Sequence, residues 1–215
     1  MKTVSAAAAI SKIPDGATLM IGGFMGVGTP ERLVDELVRQ GKRDLTVIAN
    51  DTAVPGRGIG KLVDAGLVSR TIASHIGLNP ETQKQMIAGK MAVDLVPQGT
   101  LIERIRAGGY GLGGVLTPTG IGTVVEEGKQ KVQVDGKSYL IETALRAQFA
   151  LINAFLADYI GNLSFALTGR NFNPVIAMAA ETTMVTAEHI VPVGLIPPDH
   201  VVTPAPLVDY LVANG

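Results

Sequence analysis

The chain of 215 residues carries 18 lysines and arginines against 19 aspartates and glutamates, a formal net charge of −1, with 47% hydrophobic residues and no cysteine. That length and apolar content suit one core in a single domain over residues 1–215. The charge balance offers no basic face for nucleic acid or anionic lipid, and the lack of cysteine removes disulfides, thiolate metal sites and a thiol nucleophile, as in a cytoplasmic chain. Mean hydropathy is positive at +0.31. Every apolar run is nevertheless broken by glycine, proline or charge well short of the roughly 20 residues that span a bilayer, so no membrane association is expected.

Taken in chain order, the opening MKTVSAAAAISKIPDG predicts an amphipathic first helix broken at Lys12 and Pro14, not a signal peptide. Thr18–Ile21 reads as a strand covered on both faces. Gly22, Gly23, Gly26 and Gly28 then allow a tight turn, and Thr29 and Pro30 are placed to cap and start a helix that runs to Gln40 and stops at Gly41. Leu45–Ala49 is a strand, Gly60–Ala65 a short helix and Val68–Ala73 a strand. Pro80–Ala88 is a helix capped by Asn79 and stopped by Gly89; Val93–Val96 is a strand and Thr100–Ala107 a helix.

The second half is less regular. Gly108–Gly122 reads as a long glycine-rich loop, and Lys131–Ile141 as a hairpin whose Asp135-Gly136 turn suits type I′. Phe149–Asn153 and Thr183–Thr186 are further strands, and Pro174–Ala180 a short helix. The alternation predicts a single three-layer α/β domain, a largely parallel or mixed sheet flanked by helices. Ligands gather outside the carboxyl ends of such strands. Here those ends are Gly22-Gly23, Asn50-Asp51, Ser74-His75 and Pro97-Gln98, each polar or glycine-rich.

GGFMGVGT lacks the lysine that a nucleotide-binding P-loop places before its last hydroxyl residue, which argues against a nucleoside triphosphatase. The spacing Gly109-x-Gly111-x-x-Gly114 matches a dinucleotide fingerprint, but it follows a predicted helix and runs into Thr117-Pro118, so the context fails. His75, His189 and His200 have no ligand partner at helical spacing, and no metal site is expected. Ser74-His75 lacks a nucleophile elbow, and Glu126-Glu127 reads as solvated charge. What remains is a nest of backbone N–H groups over Gly22–Pro30, able to accept a phosphate, a carboxylate or an oxyanion. Asn50 and Gln98 follow predicted strands and could bring two neutral amide donors to the same pocket. The same residues also suit a plain strand-to-helix turn and two turn or cap amides.

The pattern D-G-x-x-L-M-I-G-G-F-x-x-x-G-x-P from Asp15 to Pro30 resembles the signature of the family I coenzyme A transferases, in their A (alpha) subunit. Further matching segments follow in order: Ala49–Asp51, Val96–Thr100, Glu103–Gly109, Thr117–Gly120, Val125–Gly128 and Ala166–Asn173. The resemblance covers nearly the whole chain. It implies an enzyme that moves CoA from an acyl-CoA to a short-chain carboxylic or 3-oxo acid by a ping-pong route through a glutamyl-CoA thioester. The glutamate belongs to the B (beta) subunit, within a Ser-Glu-Asn-Gly type sequence. This chain has no such sequence; Ala180-Glu181-Thr182-Thr183 is the nearest and does not match. The catalytic glutamate is therefore expected on a partner beta subunit, in an α2β2 assembly.

The resemblance further assigns CoA binding to Phe24, Met25, Gly26, Val27, Gly28, Thr29 and Pro30, and places Asn50 and Gln98 near the reacting carbonyl. CoA thioester is then a substrate, and no tightly bound cofactor is expected. Gly108–Gly122 is a candidate for the partner-facing or pocket-lining surface. The other function compatible with these residues is a non-catalytic module that binds CoA or another metabolite on the same scaffold.

Overall fold

Leu19 and Ile21 point into one apolar core while Met20, between them, points into another. The same alternation holds at Val47 and Ala49 against Ile48, and at Leu151 against Ala150 and Ile152. Side chains alternate across a strand, so a sheet whose successive residues are all apolar must be covered on both faces. The computed structural model, which describes residues 1–213, has that three-layer form.

The strands are β1 (Lys2–Val4), β2 (Thr18–Ile21), β3 (Leu45–Asp51), β4 (Val68–His75), β5 (Ala92–Leu95), β6 (Gly114–Thr117), β7 (Lys131–Val134), β8 (Lys137–Thr143), β9 (Ala147–Asp158), β10 (Leu163–Ser164), β11 (Ala180–Val191) and β12 (Tyr210–Val212). The main sheet runs β1-β12-β11-β9-β2-β3-β4-β5, with β10 pairing β9. Its pairings are parallel apart from β9 with β10. Helices α1 (Ala6–Ile10), α2 (Glu31–Gln40) and α3 (Gly60–Asp64) supply side chains to the first core. Helices α5 (Gln98–Gly109) and α6 (Asn173–Ile176) supply the second, and α4 (Pro80–Ile87) links β4 to β5. In α2, Leu33, Val34 and Leu37 recur at helical spacing on the buried face, and Gly41 ends the helix in the left-handed region at φ 65°.

Several expectations need correction. The chain begins with a strand: Lys2–Val4 pairs with β12, and only then does Ser5 cap α1 by accepting from the Ala8 N–H at 3.1 Å. Pro30, not Thr29, occupies the cap position of α2, and it provides no side-chain acceptor. Gly108–Gly122 is not one loop, since Gly108 and Gly109 close α5 and Gly114–Thr117 forms β6. β6 joins the predicted hairpin in a separate antiparallel sheet, β6-β8-β7. The helix expected over Pro174–Ala180 is the shorter α6, because Ala180 already pairs with Ala147. The strands expected at Phe149–Asn153 and Thr183–Thr186 are the middles of two 12-residue strands. The missed strands and strand extensions involve pairing with residues on other strands, which leaves no local pattern.

β2, β3 and β4 run side by side, so the segments that follow them meet at one edge of the sheet. The turn after β3 is tied down by α4: Asn79 Nδ2 donates to the Thr52 carbonyl at 2.8 Å, and Thr82 Oγ1 lies 3.0 Å from Thr52 Oγ1. These contacts are buried, and they hold the end of β3 where it meets the cleft described next.

Candidate active site

Phe24 and Val27 exchange backbone hydrogen bonds at 3.0 and 2.8 Å around a turn in which Met25 and Gly26 both have positive φ, 51° and 81°. That is the geometry of a type I′ turn, which glycine takes without strain at the second position. Gly26 is also where the Arg57 side chain crosses: a Cβ there would overlap its Cγ, Cδ and Nε. The strained position, Met25, is held by the buried Asp51, whose Oδ2 accepts its N–H at 2.9 Å. Burial raises the pKa of Asp51 above the usual aspartate value, and the backbone N–H groups of Met25 and Ala53 together with the nearby His75 partly offset that rise.

A second pair of side chains clamps the loop from α6 and the residues before it. Asn171 accepts from the Gly23 N–H at 3.1 Å and donates to the Val27 carbonyl at 3.0 Å. Asn173 is fully buried; its Nδ2 donates to the carbonyls of Gly28 at 2.9 Å and Gly169 at 2.8 Å, and its Oδ1 accepts from the Asn153 N–H at 3.2 Å. Gly22 is required beside it, because a Cβ at that position would run into the Asn173 amide. The turn is therefore a rigid platform, not a floppy loop, even though Phe24, Met25 and Val27 remain 39%, 39% and 41% exposed.

Next to this platform lies a cleft of about 490 Å³ lined by Phe24, Met25, Val27, Asn50, Arg57, Gln98, Thr168 and Asn171. Five of the nine sequence-assigned residues thus share one cavity. Gly26, Thr29 and Pro30 are buried behind it, while Gly28 lines a neighbouring cavity with Val27, Phe155 and Phe165. Asn50 is 3% exposed at the end of β3. Its Oδ1 accepts from Ser74 Oγ at 2.8 Å and from Gln98 Nε2 at 2.9 Å. With Oδ1 so occupied, the Asn50 Nδ2 group has no acceptor among the described residues and is the amide's free edge. Gln98 is the first residue of α5 and exposed, so it reaches Asn50 from the side.

The cleft is electrically sparse. Arg57 is its one charged lining residue among the described residues; the remainder are amides, a hydroxyl and apolar groups. Neutral amide donors in a partly enclosed site stabilise charge that develops on an oxygen and cost no reorganisation when it forms. No group of three His, Asp or Glu side chains among the described residues is placed to hold a metal.

A family model described as Coenzyme A transferase matches residues 3–214. The chain belongs to the coenzyme A transferase family. This transferase chain is 58% identical over 200 residues, 93% of its length and 91% of the relative's, to the acetate CoA-transferase subunit alpha of Escherichia coli strain K12. It is 49% identical over 198 residues, 92% of its length and 91% of the relative's, to the acetoacetyl-CoA:acetate/butyrate CoA transferase alpha subunit of Clostridium acetobutylicum. A solved acyl-CoA transferase from E. coli O157:H7, a thioester complex with CoA, superposes with a TM-score of 0.88 at 27% identity. That match covers 99% of this chain and 47% of the other, so the transferase chain spans about half of that protein.

Ser74, Arg57, Thr168, Asn171 and Asn173 received no site role from the sequence. Ser74 had a usable signal, because a parallel register of β3 and β4 sets it beside Asn50. The two asparagines lie in the matching segment Ala166–Asn173, but no local pattern ties them to the turn, since 145 or more residues separate Asn171 and Asn173 from most of their partners in Gly22–Gly28.

Proposed function

We propose that this transferase chain is the alpha subunit of an enzyme that moves CoA between an acyl-CoA and a short-chain carboxylic or 3-oxo acid. In this reading Phe24–Pro30 holds the CoA thioester, and the glutamate that forms the glutamyl-CoA intermediate comes from a beta subunit in a cytoplasmic α2β2 assembly. The observation that carries it is the free Nδ2 edge of Asn50, held beside an exposed apolar turn in a cleft whose described lining has no carboxylate.

The chemistry fits that division of labour. Carboxylate attack on a thioester forms the new acyl–oxygen bond and places negative charge on the former carbonyl oxygen. Collapse then breaks the carbon–sulfur bond and releases CoA thiolate, which attacks the glutamyl carbonyl of the resulting anhydride, breaking its carbon–oxygen bond to release the donor acid as a carboxylate and leave CoA on the glutamate. Asn50 Nδ2 is the donor for that oxygen, and Gln98 steadies it from the first turn of α5. Phe24, Met25 and Val27 would cover the reacting centre with apolar surface, and a partner chain seated over the cleft would exclude the water that destroys anhydride and thioester alike.

The test is to mix the purified chain with its cognate beta subunit and follow CoA exchange between acetyl-CoA and butyrate or acetoacetate. Exchange that requires both chains is the expected result. Binding of CoA by this chain with no exchange at saturating partner would instead favour a non-catalytic binding module.

A further inference from the structure

We propose that Ser74 is a positioning residue that keeps the Asn50 amide with its N–H edge toward the cleft, a role that rests on the transfer reading above. Ser74 lies on β4 beside Asn50 on β3, since the flanking pairs are Ala49 with Ala73 and Asp51 with His75. Its Oγ is half-buried, 2.8 Å from Asn50 Oδ1 and 2.7 Å from the Asn50 backbone carbonyl, so its single proton is shared between two acceptors of the one residue. Ser74 does not line the cleft, and it therefore acts through Asn50 and not on a ligand.

An asparagine amide is nearly symmetric in shape, and only its hydrogen-bond partners decide which edge carries the donors. At Asn50 two donors converge on Oδ1, Ser74 Oγ from the neighbouring strand and Gln98 Nε2 from α5. Turning the amide over would bring Nδ2 against the Gln98 N–H donor, so the Gln98 amide would have to turn with it. Gln98 is exposed at a helix start, whereas Ser74 is fixed on β4, a strand paired on both sides by β3 and β5. The strand hydroxyl is thus the more rigid of the two restraints. Its contribution is to hold a donor that is already aimed when the oxyanion forms, which is the condition for that donor to lower the barrier.

Ser74→Ala and Ser74→Thr test this in the full chain and in the assembled enzyme. In the assembled enzyme S74A lowers kcat about tenfold and kcat/KM for the acyl-CoA by the same factor, the signature of an interaction felt in the transition state; S74T, which keeps the hydroxyl, restores most of the rate. In the chain alone, the ¹H–¹⁵N signals of the Asn50 side-chain amide, assigned by their loss in N50D, shift and broaden in S74A. Wild-type kcat in S74A, a defect confined to KM, a loss that S74T does not repair, or unchanged Asn50 amide signals would each overturn the proposal. The amide signals decide it even if wild-type subunits transfer no CoA, an outcome that would count against the transfer reading instead.

Discussion

Gln98 Nε2 donates to Asn50 Oδ1 at 2.9 Å, a hydrogen bond that joins the end of β3 to the first turn of α5 across 48 residues of sequence. It leaves the Asn50 Nδ2 group as the donor edge at the cleft. Replacing Asn50 by aspartate keeps an acceptor for Ser74 and Gln98 but turns the cleft-facing donor into an acceptor that is negatively charged at neutral pH. N50D and N50A should both lower kcat by about 100- to 1,000-fold in the assembled enzyme, with the larger loss in N50D because it places charge where an oxyanion must form. Steady-state kinetics with both substrates varied would check this, and near-normal turnover in N50D would remove Asn50 from the reacting centre.

Asn173 makes three hydrogen bonds with no exposed surface, to Gly28, Gly169 and Asn153. Asn173→Ala leaves those backbone groups without their partner and opens space beside Gly22. Unpaired buried groups cost about 1–3 kcal/mol each, so a loss of about 3 kcal/mol is expected, measured by urea unfolding. Asn173→Asp should cost at least as much as alanine, because it keeps the acceptor for the Asn153 N–H but sets a fully buried carboxylate oxygen against the carbonyls of Gly28 and Gly169. A loss below about 1 kcal/mol in N173A would mean that the clamp is not what holds the turn.

The sequence made the first half of the sheet legible because each of its strands and helices carries its own stop signal. Gly41 closes α2 in the left-handed region and Asn79 caps α4 through two backbone N–H groups, and both are visible as residue types at the right place. The edges were illegible for the opposite reason. Lys2–Val4 becomes a strand only through Tyr210–Val212, and Gly114–Thr117 only through Leu140–Thr143. The site divides the same way: the Gly22–Pro30 turn, Asn50 and Gln98 lie at strand ends and could be read in place, while Phe24, Met25 and Val27 were assigned by the resemblance. Asn171 and Asn173 act on the turn from the far end of the chain, and Arg57 enters only because a second turn, Val54–Arg57, folds against Gly26.

Asp51 gives the stability a pH dependence of defined sign. Its pKa is raised in the folded chain by burial, above the ordinary aspartate value of about 3.9, so between those two values the folded state holds more protons than the unfolded one. Its ionised form therefore costs stability at neutral pH, and that cost is relieved as the pH falls through the raised value. Glu36 runs the other way: Arg39 and Gln40 hold its pKa down, against the opposing effect of burial, and that stabilisation is lost on acidification. Asp51→Asn removes one titration and leaves the other. The stability of wild type relative to D51N should accordingly rise from pH 7 to pH 4, measured by chemical denaturation at each pH. A flat or falling difference would mean that Asp51 is not destabilised as an anion.

Arg57 is the one charged side chain lining the cleft among the described residues, and its stem crosses Gly26. Both proposed substrates are anions, the CoA thioester through its phosphates and the acceptor acid through its carboxylate. A single cation at the mouth of an otherwise neutral cleft should act mainly on capture, because its attraction is felt by substrate and transition state alike. Arg57→Ala is therefore expected to raise KM by about tenfold with little change in kcat, the pattern of lost uniform binding. Arg57→Lys keeps the charge and should recover part of that loss, though not the planar fork of guanidinium donors. Raising the ionic strength should narrow the gap between wild type and R57A, since salt screens an exposed charge. If R57A instead lowered kcat at unchanged KM and without salt dependence, Arg57 would be holding the turn in shape and not drawing anions to it.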